Sequence, residues 1–314
     1  MGNVFIGGFM GYEYRPYEKR QALYQYRDIL KKIMLYGENN PSPMVDGNTG
    51  EPLYTREIHG MMTKFNILED GAPIITERDI SGFYKGAIGE ICGFINGAHT
   101  EEQLKEFGCR FWGPSVTEEK CAKRGLEKGD IGLGSYGMAW HDFPTPDGES
   151  FDQWKEIDLQ MRERPELKTH FISPWIPEYT IRNSNHQQKV TVCPCHGWVH
   201  FNIIDGRLDM TMMQRSCDVV LGLPSNWTEY TAVLLAMAET HNLKPGVFTH
   251  FISNAHIYSN TFEYAEEMMS RETEAFPTLE VVNHHDRIWE YRKDDFELKD
   301  YHPKAKILKI PVGV

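Results

Sequence analysis

The segment CPCHGWVHFNIIDGRLDMTMMQ (residues 193–214) contains two runs of alternating apolar and polar residues on either side of Asp205-Gly206. An Asp-Gly pair between two such runs predicts a β-hairpin, because both residues tolerate the positive φ of a tight two-residue turn. We therefore predict strands over 190–204 and 207–214. This hairpin indicates that a sheet lies at the centre of the fold.

Helices are predicted where apolar residues recur at helical spacing, on both sides of the hairpin in the sequence. The predicted helices cover 17–36, 84–96, 151–163, 228–241 and 261–272, and further extended runs lie at 168–175, 278–283 and 306–312. Residues 37–53 are predicted as a loop, and 113–150 as an excursion of loops with room for one short helix. Helices mixed with largely hairpin-connected strands are typical of the α+β class. We predict a single domain with a large mixed or antiparallel sheet flanked by helices.

The bulk composition limits the classes of function. The chain has 314 residues, 40% of them hydrophobic, and a net charge of −12. This acidic balance argues against a nucleic-acid or anionic-membrane partner, since both attract an excess of Lys and Arg. No run approaches the roughly 20 apolar residues of a membrane span, and the N-terminal residues do not resemble a secretory signal. Six cysteines in so long a chain indicate free thiols in a reducing compartment rather than a disulfide framework.

A glycine motif at residues 132–137, Gly-x-Gly-x-x-Gly, formally matches a dinucleotide-binding fingerprint. That site requires a strand before the glycines and a helix after them, so that the pyrophosphate meets a helix N-terminus. The charged residues 127–130 before the motif and WHDFP at 140–144 after it do not provide this context. We therefore discount a Rossmann site.

The most reactive cluster comprises Cys193, Cys195, His196 and His200. If 190–204 is one strand, the two cysteines share one face and the two histidines the other, because side chains alternate. Four ligands divided between two faces cannot bind one zinc ion, and a disulfide at this spacing would be strained in a strand. We therefore expect no metal. Two interpretations are left: Cys195 is a reactive nucleophile, or it is a small buried residue that packs as an apolar side chain.

A longer stretch of the sequence favours the interpretation of Cys195 as a nucleophile. Its hallmarks are Pro-Cys-His at 194–196, Gln-Arg-Ser-x-Asp at 214–218 and Gly-Leu-Pro-x-Asn at 222–226. In this order, and with an interval of 31 residues from Cys195 to Asn226, they resemble the thymidylate synthase family, which includes the deoxynucleotide hydroxymethylases of phages. Further matching residues are Glu90 in GEICGF, Trp112 in FWG, Tyr136 in SYG, PTPDG at 144–148, His256-x-Tyr258 in AHIYSN and the Pro-Val-x-Val ending.

The resemblance divides the chain at residue 45 and implies covalent catalysis at C5 of a uracil nucleotide. Residues 45–314 would form the catalytic domain, and 1–44 an N-terminal extension with the opening helix. Cys195, followed by His196, would be the thiolate that adds to C6 and makes C5 attack an electrophilic one-carbon unit. Glu90 would organise proton transfer near O4, with a pKa raised by burial. Tyr136 would assist removal of the C5 proton, and 5,10-methylenetetrahydrofolate would be the carbon donor.

The resemblance also implies binding residues for both substrates. Arg215 and Ser216 would hold the phosphate, and Arg215 would also lower the pKa of the nucleophilic thiol. Asn226 would read the uracil edge, since its amide can donate to O4 and accept from N3–H. His256 and Tyr258 would bind the 3′-hydroxyl of deoxyribose. The other implied binding residues are Gln214 and Lys168 for the nucleotide and Trp112, Asp218 and Gly222 for the folate.

Departures from the family pattern concern the residues that would bind the phosphate and those that would determine the product. Gly50 stands where an arginine is usual, with Arg56 a poor substitute, and Lys168-Thr169 stands where an Arg-Arg pair is usually donated across a dimer. A lysine cannot form the bidentate contact of an arginine. Ser225 replaces a phenylalanine, and Gly113-Pro114-Ser115 replaces a second tryptophan. These two replacements thin the apolar wall around the exocyclic methylene that forms on C5 during the reaction. A thinner wall would let water add to this methylene, as in a hydroxymethylase, whereas a thymidylate synthase excludes water until hydride arrives.

We therefore expect a homodimeric deoxyuridylate hydroxymethylase that converts dUMP to 5-hydroxymethyl-dUMP. A thymidylate synthase that makes dTMP and dihydrofolate is the alternative, and a non-catalytic nucleotide-binding relative is a further one. The resemblance implies a cytoplasmic location, in a bacterial cell or a phage-infected host.

Overall fold

A large six-stranded sheet forms the centre of the computed structural model, which describes residues 12–303, 309–311 and 313. The strands are β1 (Glu38–Val45), β2 (Pro52–Asn66), β3 (Phe143–Pro144), β4 (Ser150–Phe151), β5 (Phe171–Ile172), β6 (Trp198–Ile204), β7 (Arg207–Asp218), β8 (Lys244–Tyr258), β9 (Thr278–Val281) and β10 (Phe296–Lys299). The order in the large sheet is β1-β2-β8-β7-β6-β5, and two small sheets pair β3 with β4 and β9 with β10. Neighbours in the large sheet are antiparallel except β7 and β8, which are parallel.

Helices cover the inner face of this sheet. The α-helices are α1 (Gln25–Tyr36), α2 (Ile67–Asp70), α3 (Tyr84–Ile95), α4 (Glu101–Glu106), α5 (Glu118–Ala122), α6 (Tyr136–His141), α7 (Gln153–Glu163), α8 (Pro177–Thr180), α9 (Gly222–Thr240) and α10 (Phe262–Ser270). Because α9 crosses over the sheet between β7 and β8, these two strands can lie side by side in parallel. In α9, 16 of the 19 residues are buried, so it is the central helix, packed between α3 and the sheet. The predicted α+β class with a large mixed sheet is confirmed.

The predicted hairpin is also confirmed. Ile204 of β6 pairs with Arg207 of β7, and between them Asp205 and Gly206 have φ of 49° and 73°. Positive φ at both central residues is what a type I′ turn requires. β7 continues to Asp218, beyond the predicted end, so the hairpin carries residues 214–218 as part of a strand.

The strand predicted over 190–204 is wrong in its first half. β6 begins only at Trp198, and the residues before it form a loop. Pro194 has no N–H for the ladder, and Gly197 has a φ of 99°, which a strand does not accommodate. The argument from alternating faces against zinc therefore does not apply to the two cysteines in this loop, although no set of three or more metal-binding side chains occurs among the described residues.

The N-terminal predictions also need correction. Residues 37–53, predicted as a loop, contain β1, which lies at the edge of the large sheet and, within the described part of the chain, pairs with β2 alone. Pro41 and Pro43 obscured this strand, but proline is tolerated at a sheet edge, where no ladder bond is lost. The helix predicted over 17–36 begins only at Gln25. Both α1 and β1 pack with the main core and sheet, although the division based on the sequence placed them in an extension.

Two long central strands, β2 and β8, each of 15 residues, have no counterpart among the predictions. The remaining differences concern short elements. The excursion over 113–150 contains two short helices, α5 and α6, and the run over 168–175 forms only the two-residue β5. The strand β10 has no counterpart among the predictions. The late strand predicted near 306–312 falls largely outside the described residues. None of the described helices is long and apolar enough to cross a membrane.

Candidate active site

The candidate nucleophile Cys195 lies in the loop that enters β6, and two other elements hold its backbone. Its N–H donates to the Tyr136 hydroxyl at the start of α6 (2.6 Å), and its carbonyl accepts from the backbone N–H of Arg215 in β7 (2.8 Å). Its Sγ lies 3.6 Å from Arg215 Nη2. Three residues that are far apart in the sequence are therefore brought together at one point.

The environment of the Cys195 thiol acts on its pKa in two directions. Burial raises this pKa, whereas the Arg215 guanidinium and a hydrogen bond with Tyr136 lower it. The effect of Arg215 has the expected sign, and the effect of burial is the larger of the two. The second cysteine of the loop, Cys193, directs its Sγ to the Thr180 carbonyl (3.4 Å).

Arg215 is fixed against the loop that carries the nucleophile. Its Nε donates to the Pro194 carbonyl (2.8 Å) and its Nη2 to the Cys193 carbonyl (3.0 Å). The guanidinium also lies over the Trp175 ring, with 5.6 Å to the ring centroid. Because the side chain remains exposed, its other N–H groups can reach an anion. The adjacent Ser216 is partly buried.

His196 and Tyr136 form a neutral, stacked pair beside the nucleophile, with ring centroids 4.6 Å apart. Burial lowers the pKa of His196 to about 3, so its ring is neutral near physiological pH. Its Nδ1 lies 2.7 Å from the Tyr230 hydroxyl. Burial raises the pKa of Tyr136 well above the ordinary value. Both side chains therefore act through hydrogen bonds rather than through charge.

Glu90, on α3, forms a buried acid pair that the sequence analysis anticipated only in part. Its Oε1 accepts from Trp112 Nε1 (2.5 Å), and its carboxyl interacts with that of Glu229 on α9. Burial raises the pKa of both carboxyls, which confirms the direction expected for Glu90. Two carboxyls in contact resist ionising together, so the pair holds a proton. The family motifs did not include Glu229.

Buried amides connect this acid pair to β7. Asn226 Oδ1 accepts from Gln214 Nε2 (2.9 Å), and Asn226 Nδ2 donates to Glu229 Oε2 (3.2 Å). Gln214 Nε2 also donates to the Ser216 carbonyl (3.0 Å). Each group of the Asn226 carboxamide keeps one hydrogen-bonding position for a ligand. This arrangement can read a base that offers one donor and one acceptor.

A further group lies where β7 and β8 run side by side. Asp218 pairs with His256 in the strand register, and its Oδ1 accepts from two backbone N–H groups in the turn before Gly222, the first residue of α9. His256 Nδ1 lies 2.8 Å from Asn254 Oδ1. The His256 ring packs edge-on against Tyr258, with centroids 5.2 Å apart. The predicted sugar residues are thus neighbours of Asp218 and Gly222, two of the three predicted folate residues, whereas Trp112 lies beside Glu90.

Lys168 is the one predicted binding residue that the fold does not bring to this group. Its side chain is exposed, and its backbone carbonyl lies 3.1 Å from His200 Nε2. His200 pairs with Thr211, four residues before Arg215 in β7. Within one chain, Lys168 therefore lies away from the nucleophile.

One comparison with known proteins covers nearly the whole chain. A family model described as "Thymidylate synthase" matches residues 24–314. The match includes every residue named above, and it begins just before α1.

Proposed function

Because the chain belongs to the thymidylate synthase family, we propose that its substrate is dUMP and its product 5-hydroxymethyl-dUMP. Members of this family are transferases that carry a one-carbon unit from methylenetetrahydrofolate to C5 of a uracil nucleotide. Methyl and hydroxymethyl transfer share every step up to an exocyclic methylene intermediate. The product therefore depends on whether water or hydride reaches that intermediate first.

The observation that carries the proposal is the convergence of Cys195, Arg215 and Tyr136. In the proposed reaction the Sγ of Cys195 adds to C6 of the uracil ring, which makes C5 nucleophilic. Arg215 favours the thiolate by lying 3.6 Å from the sulfur, and its outer N–H groups would bind the phosphate, with help from Ser216. Tyr136, hydrogen bonded to the Cys195 backbone, would assist loss of the C5 proton.

The buried polar residues of α3 and α9 would bind the uracil base and supply a proton to it. Asn226 would accept from N3–H and donate to O4, as uracil requires. Burial raises the pKa of both carboxyls of the Glu90 pair, and the two resist ionising together. The pair would supply its shared proton as negative charge develops on O4. His256 and Tyr258 would bind the 3′-hydroxyl of the sugar.

The folate has matching residues beside this pocket. Bound methylenetetrahydrofolate supplies the electrophilic carbon. The Trp112 indole is held by Glu90 through its N–H, and we propose that the edge of this largely buried ring contacts the folate. Asp218 offers a carboxylate for the polar pterin edge, next to the backbone of Gly222. The donor set fits a flat heteroaromatic ligand with hydrogen-bond donors.

The hydroxymethyl outcome is proposed from the wall around Trp112. The next three residues, Gly113–Ser115, form a turn without a large apolar side chain, and Ser225 is a small polar residue just before Asn226. A site of this composition admits water more easily than one closed by aromatic rings. Water would then add to the methylene carbon before hydride arrives.

We also propose a homodimer formed through the outer face of the sheet. Met62, Phe251, Met213 and Trp198 are consecutive register partners across β2, β8, β7 and β6, so their side chains form one apolar row on that face. Met62, Phe251 and Met213 are 58%, 44% and 40% exposed. Such a row suggests a covered surface, and a second copy would bring Lys168, near the same face, towards the partner's phosphate site.

The test is to incubate the protein with [5-³H]dUMP and methylenetetrahydrofolate. Tritium release, dihydrofolate absorbance and the mass of the nucleotide product are followed together. Tritium release with a hydroxymethyl product and no dihydrofolate supports the proposal. A methyl product with dihydrofolate would identify a thymidylate synthase and contradict the water-entry argument. Turnover with dCMP or UMP but not dUMP would overturn the proposed base or sugar.

A further inference from the structure

A continuous chain of hydrogen bonds crosses the buried inner face of the sheet and ends on the residue proposed to read the base. Trp227 Nε1 donates to His250 Nδ1 (3.0 Å), and His250 Nε2 lies 3.0 Å from Gln214 Oε1. Gln214 Nε2 donates to Asn226 Oδ1 (2.9 Å). Trp227 and His250 are fully buried, so water does not compete for these contacts.

The direction of this chain is set by its first member. An indole N–H can only donate, so His250 Nδ1 must accept and cannot carry a proton. Burial lowers the pKa of His250 to about 3, so the ring is neutral and its one proton is on Nε2. This N–H donates to Gln214 Oε1, which turns the Gln214 amide nitrogen towards Asn226.

The same logic fixes the last amide. Side-chain amide orientation is normally ambiguous and follows from the partners. Here Asn226 Oδ1 must face the Gln214 amide nitrogen, because the reversed amide would place two N–H₂ groups against each other. Its Nδ2 then faces the Glu229 carboxyl (3.2 Å), which accepts. The free lone pair and the free N–H of Asn226 consequently have fixed positions.

We propose that Trp227 is a specificity-determining residue: through this chain it fixes the orientation of the Asn226 carboxamide and makes the site select uracil over cytosine. The inference rests on the proposed function, since it assumes that Asn226 contacts the base. Uracil offers an N3–H donor and an O4 acceptor, which match the fixed amide. Cytosine offers an N3 acceptor and an N4 donor, which oppose it.

Trp227 acts at a distance and is a positioning residue, so its variant must be separated from a general packing defect. Trp154 provides the matched control: it is also fully buried, but its Nε1 has no hydrogen-bond partner among the described residues. Trp227→Phe and Trp154→Phe therefore make the same change in volume. Both remove an indole N–H, but only the first breaks a hydrogen bond.

The experiment measures dUMP and dCMP affinities by calorimetry for the wild type and both variants, after tritium release from [5-³H]dUMP has been verified for the wild type. We expect Trp227→Phe to reduce the preference for dUMP about tenfold, the value of one hydrogen bond to a buried group. Trp154→Phe should retain the preference within about twofold. An undiminished preference in a folded Trp227→Phe protein overturns the inference alone. A wild type that releases no tritium and binds neither nucleotide overturns the proposed function as well.

A second measurement needs no variant and covers the case in which Trp227→Phe does not fold. Nitrogen NMR of the ¹⁵N-histidine-labelled wild type should show His250 as the neutral Nε2–H tautomer in the absence of nucleotide. The Nδ1–H tautomer, or a charged ring near neutral pH, would overturn the proposed direction of the chain.

Discussion

The two faces of the central strands each depart from the usual pattern of a sheet. On the inner face, Gln214 of β7 and His250 of β8 are buried polar residues in a hydrogen-bond chain. On the outer face, their sequence neighbours Met213 and Phe251 are apolar and about 40% exposed. A sheet normally buries its apolar side and solvates its polar side. Both departures fit the functions proposed above, in which the inner face binds a small ligand and the outer face a protein surface.

The largest effect on activity is expected from replacing the proposed nucleophile, Cys195. Cys195→Ser should reduce tritium release from dUMP by at least about 10³-fold, because a neutral hydroxyl is a far weaker nucleophile than a thiolate. Binding of dUMP should change by only a few-fold. Release rates and calorimetric affinities measure the two effects separately.

Cys193→Ala is the matched control for that variant. Cys193 lies two residues away in the same loop but directs its sulfur to the Thr180 carbonyl, so activity should remain close to that of the wild type. Equal losses in the two variants would show that the loop, rather than the Cys195 thiol, is required. Full activity in Cys195→Ser would leave a nucleotide-binding site without covalent catalysis.

The next effect concerns the outer face. Phe251→Asp places a charge in the middle of the apolar row and should weaken homodimerisation by at least about 100-fold, since a buried unpaired charge costs several kcal/mol. Sedimentation equilibrium of the wild type and the variant measures this. Leu35→Asp on α1, where Leu35 is 61% exposed, introduces the same charge outside the row and should leave the dimer intact. A wild type that is monomeric at high concentration would contradict the assignment of this face.

The buried acid pair of Glu90 and Glu229 should make the stability of the protein depend on pH. Burial and the neighbouring Glu90 raise the pKa of Glu229 well above 4.5, and the acids Cys109 and Tyr230 also face it. The native state therefore keeps a proton that the unfolded state loses above about pH 4.5, so this group lowers the free energy of unfolding as pH rises.

Glu229→Gln removes that titration while retaining an acceptor for Asn226. Above about pH 5, the stability of the wild type relative to the variant should fall as the pH rises. Urea unfolding at several pH values in this range tests the slope. Parallel stability curves would show that Glu229 is ionised in the native protein.

The smallest effect is expected from Lys168, which would reach the phosphate site of the partner across the proposed dimer. Lys168→Ala should raise the KM for dUMP about fivefold at unchanged kcat, as expected for one exposed charge contact of ~1 kcal/mol. The effect should disappear in the Phe251→Asp background, if the lysine acts across the dimer. An equal effect in both backgrounds would place Lys168 at its own chain's phosphate site, contrary to the fold.

The sequence predicted best what depends on local pattern. The hairpin at Asp205-Gly206, the buried helix α3 and the convergence of Cys195 with Arg215 follow from turn chemistry, periodicity and motifs. The start of β6 was misplaced because alternating apolar residues before Trp198 imitate a strand, and only the backbone of Gly197 shows that the chain turns. β1 was missed because its prolines are compatible with an edge strand but do not indicate one.

The polar chain of the inner face could not be predicted from the same patterns. Glu229 occurs in TEYTAVLLAMA, where a single acid would be assigned to the exposed side of a helix. The one available signal is its spacing of three from Asn226, which places the two on the same helical face. His250 and Trp227 are brought together by the β7–α9–β8 crossover. Their contact is a property of the tertiary fold.

The edges of the large sheet limit how copies of this protein can associate. β1 carries Pro41 and Pro43, and β5, at the opposite edge, is only two residues long. Neither edge offers a long row of free N–H and C=O groups to which a neighbouring molecule could add a strand. An apolar sheet face on a protein with open edges would favour fibre growth. Here the same surface can be covered only face to face, which favours a closed pair that does not extend further.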